Sequence, residues 1–249
     1  MDTFALPKFA DSVVGIAQAY GPLTFWLEQL NPDANPDGTW RALMLMGCLK
    51  KVEFAYRYRL FLAHRDSRVR AWACFALGQA KDEESAELIH GLNGDPSTRV
   101  RIHAWQAIRA IVGAEYSQRL FPIRNPPINS LVLISEDNQQ SQINLARMFS
   151  RAGYRVEVAS SELETMRAAL SLRPQAIVTD NQKYTDDFSG INMIWDIVRR
   201  PELRETVLFM LTADYIEPVF LWHGGDFFLH KSGASVDRLA EVANEYLHH

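Results

Sequence analysis

The first half of the chain repeats one helical pattern. The segment VRAWACFALGQA, which begins at Val69, aligns with VRIHAWQAIRAI, which begins at Val100, at a constant offset of 31 residues. In both copies the apolar residues recur three and four positions apart and form one stripe along a helix. Because such helices cannot bury their apolar faces alone, the copies must stack on one another. The repeat therefore predicts an all-α array.

The turns before the two copies carry acids that suit a helix start. Asp66 precedes the first copy and Asp95 the second, and acids in these turns can cap the helix that follows. A weaker third copy lies upstream, because Gly47 precedes Gly78 by the same interval. In the alignment His103 takes the position of Trp72, which favours a core histidine over a metal ligand.

This pattern resembles a HEAT repeat array of the short type seen in phycobilisome-lyase-like HEAT proteins, over about residues 38–113. The resemblance implies paired antiparallel helices that offer a binding surface, and such arrays carry no chemistry by virtue of their fold. We expect an α-helical repeat domain at residues 1–113 and a proline-containing linker at 114–129. A second domain is expected at 130–249.

One segment of the repeats is strongly basic. Between residues 50 and 70 the only acids are Glu53 and Asp66, and aromatic residues are interleaved with the cations. This combination suits phosphate contacts and base stacking, so it predicts a possible face for an anionic partner or nucleic acid. The alternative is a solvated helix face above packed aromatic rings. The candidate residues of the face are Lys50, Lys51, Arg57 and Arg59.

The second half has a different composition and a different pattern. Lys and Arg number 15 against 13 Asp and Glu before residue 130, and 11 against 17 from there on, which supports a boundary between the halves. Five apolar runs alternate with amphipathic segments over residues 131–247. That alternation predicts an α/β doubly wound parallel sheet whose ligands bind at the carboxyl ends of the strands.

Polar residues follow these apolar runs at the points where the strands should end. Glu136 and Asp137 follow the first run, Asp180 ends the third, and Thr212 ends the fourth. Lys231 follows the fifth run. Carboxylates gathered at one edge repel each other unless a cation is present, and their oxygen atoms suit Mg²⁺. A lysine and a hydroxyl nearby are what a phosphoryl group requires.

These strand ends resemble the receiver domain of two-component response regulators. The shared motifs are the acids of LISEDN, the acid ending AIVTD, the hydroxyl of MLTA and the lysine of DFFLHK, within residues 130–248. The resemblance implies a flavodoxin-like sheet with strand order 2-1-3-4-5. It also implies a role for each matching residue: Asp180 as phosphoacceptor, Glu136, Asp137, Asp180 and the carbonyl of Gln182 as Mg²⁺ ligands, Thr212 and Lys231 as phosphoryl contacts, and Phe228 as the aromatic switch.

The function implied is that of a response regulator without a separate catalytic output domain, and therefore not an enzyme in its own right. A histidine kinase or phosphotransfer protein would donate the phosphoryl group to Asp180, and the receiver would then modulate what the repeats bind. Two alternatives stay open. One is a pseudo-receiver scaffold that is not phosphorylated, and the other is a nucleic-acid or anionic-partner binder that uses the basic segment.

The chain departs from the receiver pattern at two places. Ser232 replaces the usual proline after the lysine, and the segment between Thr212 and Lys231 is short and contains Pro218. We therefore expect a shortened or missing fourth helix, with Phe220 and Trp222 packed against the repeats or a partner.

The composition of the chain bears on its location in the cell and on the state of its cysteines. The chain has 47% hydrophobic and 22% charged residues, two cysteines in apolar helical patterns, and no apolar run of membrane-spanning length. Its first residues do not form a signal peptide. These features predict a cytoplasmic protein with no membrane contact and two buried, reduced thiols.

Overall fold

A computed structural model describes residues 13–18, 20–113, 115, 130–180, 189–212, 217–230 and 247. Apart from the terminal residue, the chain divides into two compact units, Met1–Ile123 and Arg124–His248. Most of the expected linker at 114–129 lies outside the described residues. The domain limits at residues 113 and 130 therefore stay predictions.

The described part of the N-terminal unit consists of helices joined by turns and short connections. Short helices alternate with long ones, and three-residue 3-10 turns connect some of them. The helices are α1 (Leu23–Glu28), α2 (Pro36–Cys48), α3 (Ala55–Tyr58), α4 (Ser67–Ala80), α5 (Ala86–Gly91) and α6 (Thr98–Val112). The long helices α2, α4 and α6 form a row, in which α4 packs against both of the others. The predicted all-α array is confirmed.

Equivalent arginines make equivalent bonds in successive repeats. Arg70 donates from one guanidinium nitrogen to the carbonyl oxygens of His64 and Arg65, at 2.8 and 3.2 Å. Arg101, one repeat later, donates in the same way to the carbonyls of Asp95 and Pro96, at 2.8 and 3.3 Å. Each arginine thus holds the turn that precedes its own helix, so the sequence repeat is also a structural one.

The weak upstream copy is a repeat as well, as the contacts of its glycine show. A Cβ on Gly78 of α4 would lie 2.8 Å from the Cα of Ala107 on α6. A Cβ on Gly47 of α2 would lie 3.1 Å from the Cα of Ala76 on α4. The two glycines therefore mark the same close approach of neighbouring long helices, one repeat apart.

Aromatic rings from the three long helices form a ladder through the repeat core. Trp40 and Trp72 stack with centroids 6.2 Å apart, and Trp72 contacts the ring of His103 at 5.3 Å. His103 is 3% exposed. The sequence-based assignment of His103 to the core is confirmed. Cys48 and Cys74 are both buried and neither forms a disulfide, as predicted.

The C-terminal unit contains one parallel sheet. Its strands are β1 (Leu131–Ser135), β2 (Arg155–Ala159), β3 (Ala176–Thr179), β4 (Val207–Thr212) and β5 (Phe227–His230), in the order β2-β1-β3-β4-β5. The helices are α7 (Gln139–Arg151), α8 (Glu162–Leu172), α9 (Ser189–Val198) and α10 (Glu217–Trp222). All four strand pairs are parallel. The predicted doubly wound fold and strand order are confirmed.

Local capping explains where the first helices of this unit begin and end. Asn138 starts α7 and its side chain accepts a hydrogen bond from the backbone N–H of Ser141 at 2.9 Å. Ser161 starts α8 and bonds the N–H of Glu164 at 3.3 Å. Helix α8 ends at Leu172, and the next residue, Arg173, adopts a left-handed conformation with φ of 48°.

The fourth helix of this unit is short, as expected. Helix α10 has six residues, with Pro218 in its first turn where a missing N–H costs nothing. The expectation for Phe220 was wrong. This residue is fully buried within its own unit, where its ring lies 6.1 Å from that of Phe228. The expected last helix, from Val236 to Leu247, falls almost entirely outside the described residues.

Among the described residues, no helix combines the length and the apolar character that crossing a bilayer requires.

The close approach at Gly78 gives a stability prediction. We expect Gly78→Ala to lower the free energy of unfolding by about 1–3 kcal/mol, because the new methyl meets the backbone of α6. Gly91→Ala is the matched control, since nothing lies within 4 Å of a Cβ there. Urea unfolding followed by circular dichroism measures both. Equal stability of the two variants would contradict the close packing of α4 on α6.

Candidate functional site

The carboxyl edge of the sheet brings the first two acidic strand ends together. Ser135 at the end of β1 pairs with Thr179 at the end of β3, and the N–H of Asp180 donates to the carbonyl of Ser135 at 3.1 Å. The N–H of Glu136 donates to the carbonyl of Ala159 at 3.1 Å. Asp180 and Glu136 therefore leave neighbouring central strands at the same edge, as the sequence predicts.

The three acids of this edge differ in burial. Glu136 is 3% exposed, whereas Asp137 and Asp180 are partly exposed. One oxygen of Glu136, Oε1, accepts a hydrogen bond from the N–H of Asn138 at 3.1 Å. The described residues contain no group of three or more His, Cys, Asp or Glu side chains that could hold a metal ion. The acids thus share an edge without forming a closed ligand cluster.

Thr212 lies at the same edge, at the end of β4. It is 2% exposed and pairs with His230, the last residue of β5. Met210, two residues earlier, pairs with both Thr179 of β3 and Phe228 of β5. Strand β4 therefore extends two residues further toward this edge than β3 does, which carries Thr212 past the level of Thr179.

Two predicted site residues lie outside the described residues. They are Gln182, expected to offer its carbonyl to the metal, and Lys231, expected to pair with the phosphoryl group. Lys231 follows His230 directly in the chain, and His230 ends β5 beside Thr212. The roles of both residues stay predictions.

Phe228, the predicted switch, is nearly buried at 9% exposure. Its ring contacts Phe220 of helix α10 with centroids 6.1 Å apart and planes at 53°. The sequence did not suggest this contact, because Phe220 was expected to face away from its own unit.

A buried hydroxyl pair near the site was also missed from the sequence. Thr165 on α8 donates its hydroxyl hydrogen to Oγ of Ser135 at 2.8 Å, and both residues are buried. The bond fixes α8 to the end of β1 next to Glu136. The available signal was a threonine on the apolar side of a predicted helix.

The arginines of the basic segment have partners within the repeat unit. Arg59 makes a two-pronged contact with Asp82, at 2.7 and 2.6 Å, and also binds Glu84 at 2.7 Å. These carboxylates hold the pKa of Arg59 above its ordinary value. Arg57 donates to the carbonyl of Leu30 at 2.8 Å. Both guanidinium groups therefore help to hold the repeats together.

The remaining candidates and the aromatic residues divide between surface and core. Lys50 is exposed, and Lys51 pairs with Glu53 at 3.4 Å. Tyr58 is fully buried, and its hydroxyl donates to the carbonyl of Lys51 at 2.8 Å. These contacts favour the structural interpretation of the segment over a nucleic-acid face, because both arginines, Lys51 and the Tyr58 ring already have partners within the repeat unit.

Comparison with known families supports the assignment of the repeats. A family model for HEAT repeats matches residues 58–127. No curated protein matches the chain in sequence.

Solved structures similar to this chain are response regulator proteins and receiver domains. The chemotaxis protein CheY4 of Vibrio cholerae has 19% identity and a TM-score of 0.42, with 47% of this chain and 98% of that chain covered. A receiver domain protein from Methanospirillum hungatei has 23% identity and a TM-score of 0.41, with coverage of 48% and 94%. The receiver domain of the sensor histidine kinase PA1611 from Pseudomonas aeruginosa, which carries a magnesium ion in its active site cleft, has 22% identity and a TM-score of 0.41. It covers 48% of this chain, and 98% of that chain is matched. The fold itself follows from the strand order.

The Arg59 contacts predict a loss of stability when the side chain is removed. We expect Arg59→Ala to lower the free energy of unfolding by about 1 kcal/mol or more, since Asp82 loses a two-pronged, charge-assisted partner. Lys50→Ala at an exposed position is the control and should have little effect. Thermal unfolding measures both. A double-mutant cycle with Asp82→Ala should show coupling; strictly additive effects would rule out the contact.

His103 predicts a pH dependence of stability. Burial, with a smaller contribution from the charge of Arg99, lowers its pKa from 6.5 to about 3. Between these values the unfolded chain binds a proton that the folded chain excludes. The free energy of unfolding therefore falls as the pH drops below 6.5, by about 1.4 kcal/mol per pH unit at most.

The matched variant is His103→Phe, which keeps a ring beside Trp72 and removes the titrating group. Urea unfolding from pH 7.5 to pH 4.5 should show a smaller loss of stability for this variant than for the unchanged protein. Identical slopes would mean that His103 does not resist protonation in the fold.

Proposed function

We propose that this protein is a response regulator in which Asp180 accepts a phosphoryl group and the repeat unit binds a protein partner. The observation that carries the proposal is the hydrogen bond from the N–H of Asp180 to the carbonyl of Ser135, at 3.1 Å. It supports a site at the ligand-binding edge of a doubly wound sheet, where Asp180 follows β3 next to the end of β1 that Glu136 and Asp137 follow.

The proposed chemistry is a phosphoryl transfer. A phosphohistidine on a histidine kinase or phosphotransfer protein is the donor. A carboxylate oxygen of Asp180 forms the new bond to phosphorus as the bond from the histidine nitrogen to phosphorus breaks, and the imidazole leaves. The residues of the chain act mainly by position and charge. Lys231 would pair with the phosphoryl oxygens, and the hydroxyl of Thr212 would donate to one of them.

Mg²⁺ is the cofactor that the donor set favours. The acids at the edge offer hard oxygen ligands, which suit Mg²⁺. Glu136, Asp137, Asp180 and the carbonyl of Gln182 would hold the ion. When bound, it would neutralise charge on the phosphoryl oxygens during transfer.

A pseudo-receiver scaffold is the second candidate. The contact between Oε1 of Glu136 and the N–H of Asn138 favours it, because one predicted ligand oxygen is engaged by the loop. In that case the C-terminal unit would act as a constitutive scaffold and would take up no phosphoryl group.

Phosphoryl uptake separates the two candidates. We expect acetyl phosphate with Mg²⁺ to add the mass of one phosphoryl group to the intact protein, and chelation of the metal to abolish the gain. Phosphoramidate serves as a second donor, so that a mismatch with one donor does not decide the result. Asp180→Asn should remove the gain, whereas Asp196→Asn, at an exposed position on α9, should keep it.

Two results would contradict phosphoacceptance at Asp180. One is no gain in mass with either donor, which would leave the pseudo-receiver interpretation. The other is a gain that survives Asp180→Asn, which would assign the modification to another residue. If Asp137 ligates Mg²⁺, Asp137→Asn should also lower the affinity for Mg²⁺, measured by a titration followed by tryptophan fluorescence.

A further inference from the structure

Strand β2 forms one edge of the sheet, and in the described part of the chain no strand pairs with its outer side. Its residues are exposed or half-buried except for Ala159, whereas its neighbour β1 is buried along its whole length. An open strand edge presents backbone N–H and C=O groups to which another strand can add. We call this outer side of β2 the open edge.

The pairing with β1 decides which backbone groups face the open edge. The N–H of Arg155 donates to the carbonyl of Ser130 at 2.9 Å. Backbone groups alternate sides along a strand, so every second residue of β2, counted from Arg155, bonds to β1. Val156 and Val158 therefore direct their N–H and C=O groups toward the open edge.

Two opposite charges stand on one face of this strand. Arg155 and Glu157 are both exposed, and because they are two residues apart their side chains leave β2 on the same face. Among the described residues, neither side chain has an ion-pair or hydrogen-bond partner. The strand therefore carries one positive and one negative group beside its open edge.

Exposed apolar side chains gather around the same edge. Within the described part of the C-terminal unit, the large apolar residues that are exposed are Ile143, Val158, Leu163 and Leu172. Val158 belongs to β2 itself and is 40% exposed. The other three lie on α7 and α8, the two helices that pack against β2. A cluster of exposed apolar residues marks a surface for interaction with another molecule.

The sequence of β2 is complementary to itself in one antiparallel register. A two-fold axis at Val156 sets this residue opposite its own copy as a hydrogen-bonded pair. The same axis places Arg155 opposite Glu157 of the second copy, twice over by symmetry. Val158 then lies opposite Tyr154. An axis at Arg155 or Glu157 would instead oppose like charges, and it would need backbone groups that are already bonded to β1.

We propose that the open edge is a dimer interface, in which two copies of this chain join their sheets through antiparallel β2 strands centred on Val156. A second copy is the occupant that the charges fit, since one strand supplies both members of each ion pair. The inference does not depend on phosphorylation of Asp180, so the two proposals can fail separately.

Sedimentation equilibrium of the full chain over a range of concentrations tests the dimer. We expect the unchanged protein to dimerise. Glu157→Arg sets arginine against arginine on both sides of the axis and should raise the Kd of the dimer by about tenfold or more. The double exchange of Arg155→Glu with Glu157→Arg opposes unlike charges again and should restore the dimer. Glu202→Arg, an equal charge change at an exposed position in the turn before β4, should leave the Kd unchanged.

Three results would overturn the inference. A chain that stays monomeric at every concentration would leave the open edge to a strand from a different protein. A dimer with the same Kd in Glu157→Arg would place the interface elsewhere. A dimer that is lost in Glu157→Arg and not regained in the double exchange would contradict the charge pairing, provided that circular dichroism shows both variants to be folded.

A cysteine substitution tests the register without changing any charge. Hydrogen-bonded residues of an antiparallel pair have Cα atoms about 5.5 Å apart, which is within the reach of a disulfide. Val156→Cys should therefore form a disulfide between two copies when it is treated with oxidised glutathione, and non-reducing electrophoresis detects it. The native cysteines are buried and stay in place.

Val158→Cys is the matched control for this disulfide. In the proposed register the two copies of residue 158 are four residues apart along the strand pair, or about 14 Å, which is too far for the bond. Val158 is also more exposed than Val156, so random collisions would favour the control. Cross-linking of Val158→Cys as strong as that of Val156→Cys would overturn the register.

Discussion

The pairing of β1 with β3 is the constraint on which the candidate site depends. These strands lie next to each other near the centre of the sheet, and the bond from Asp180 N–H to the Ser135 carbonyl continues their pairing by one residue. A register shift of one residue would turn every side chain of β3 to the other face. Every residue of β1 and β3 is buried, so a shift would force the side chains on both faces to repack in a closely packed core. Core packing therefore sets where the Asp180 carboxylate emerges.

Much of the C-terminal fold could be predicted because its signals are local. Apolar runs of four to six residues gave the strands, and β1 has the limits that were expected. Cap residues such as Asn138 and Ser161 mark helix starts by hydrogen bonds that span only three residues. Strand order carries no local signal, and it came from the resemblance of the strand ends to receiver domains.

The parts that the sequence did not reveal depend on contacts between distant residues. Arg59 donates to Asp82, which lies 23 residues later in the chain. Arg57 donates to the carbonyl of Leu30, which lies 27 residues earlier. A run of cations therefore looked like a surface for anions. Phe220 was expected to pack against the repeats or a partner, because the fourth helix was expected to be shortened or missing. Its burial depends on the absence of a side chain at Gly225, which periodicity does not register.

A signal that arises at Asp180 can affect a partner only if two states of the protein differ in free energy of binding. Helix α10 is short, it has proline in its first turn, and the backbone N–H groups of Gly224 and Gly225 close its end. A short helix has little stability of its own and depends on the packing of its few buried side chains. Its buried residue Phe220 contacts the ring of Phe228 on β5, the strand that pairs with β4.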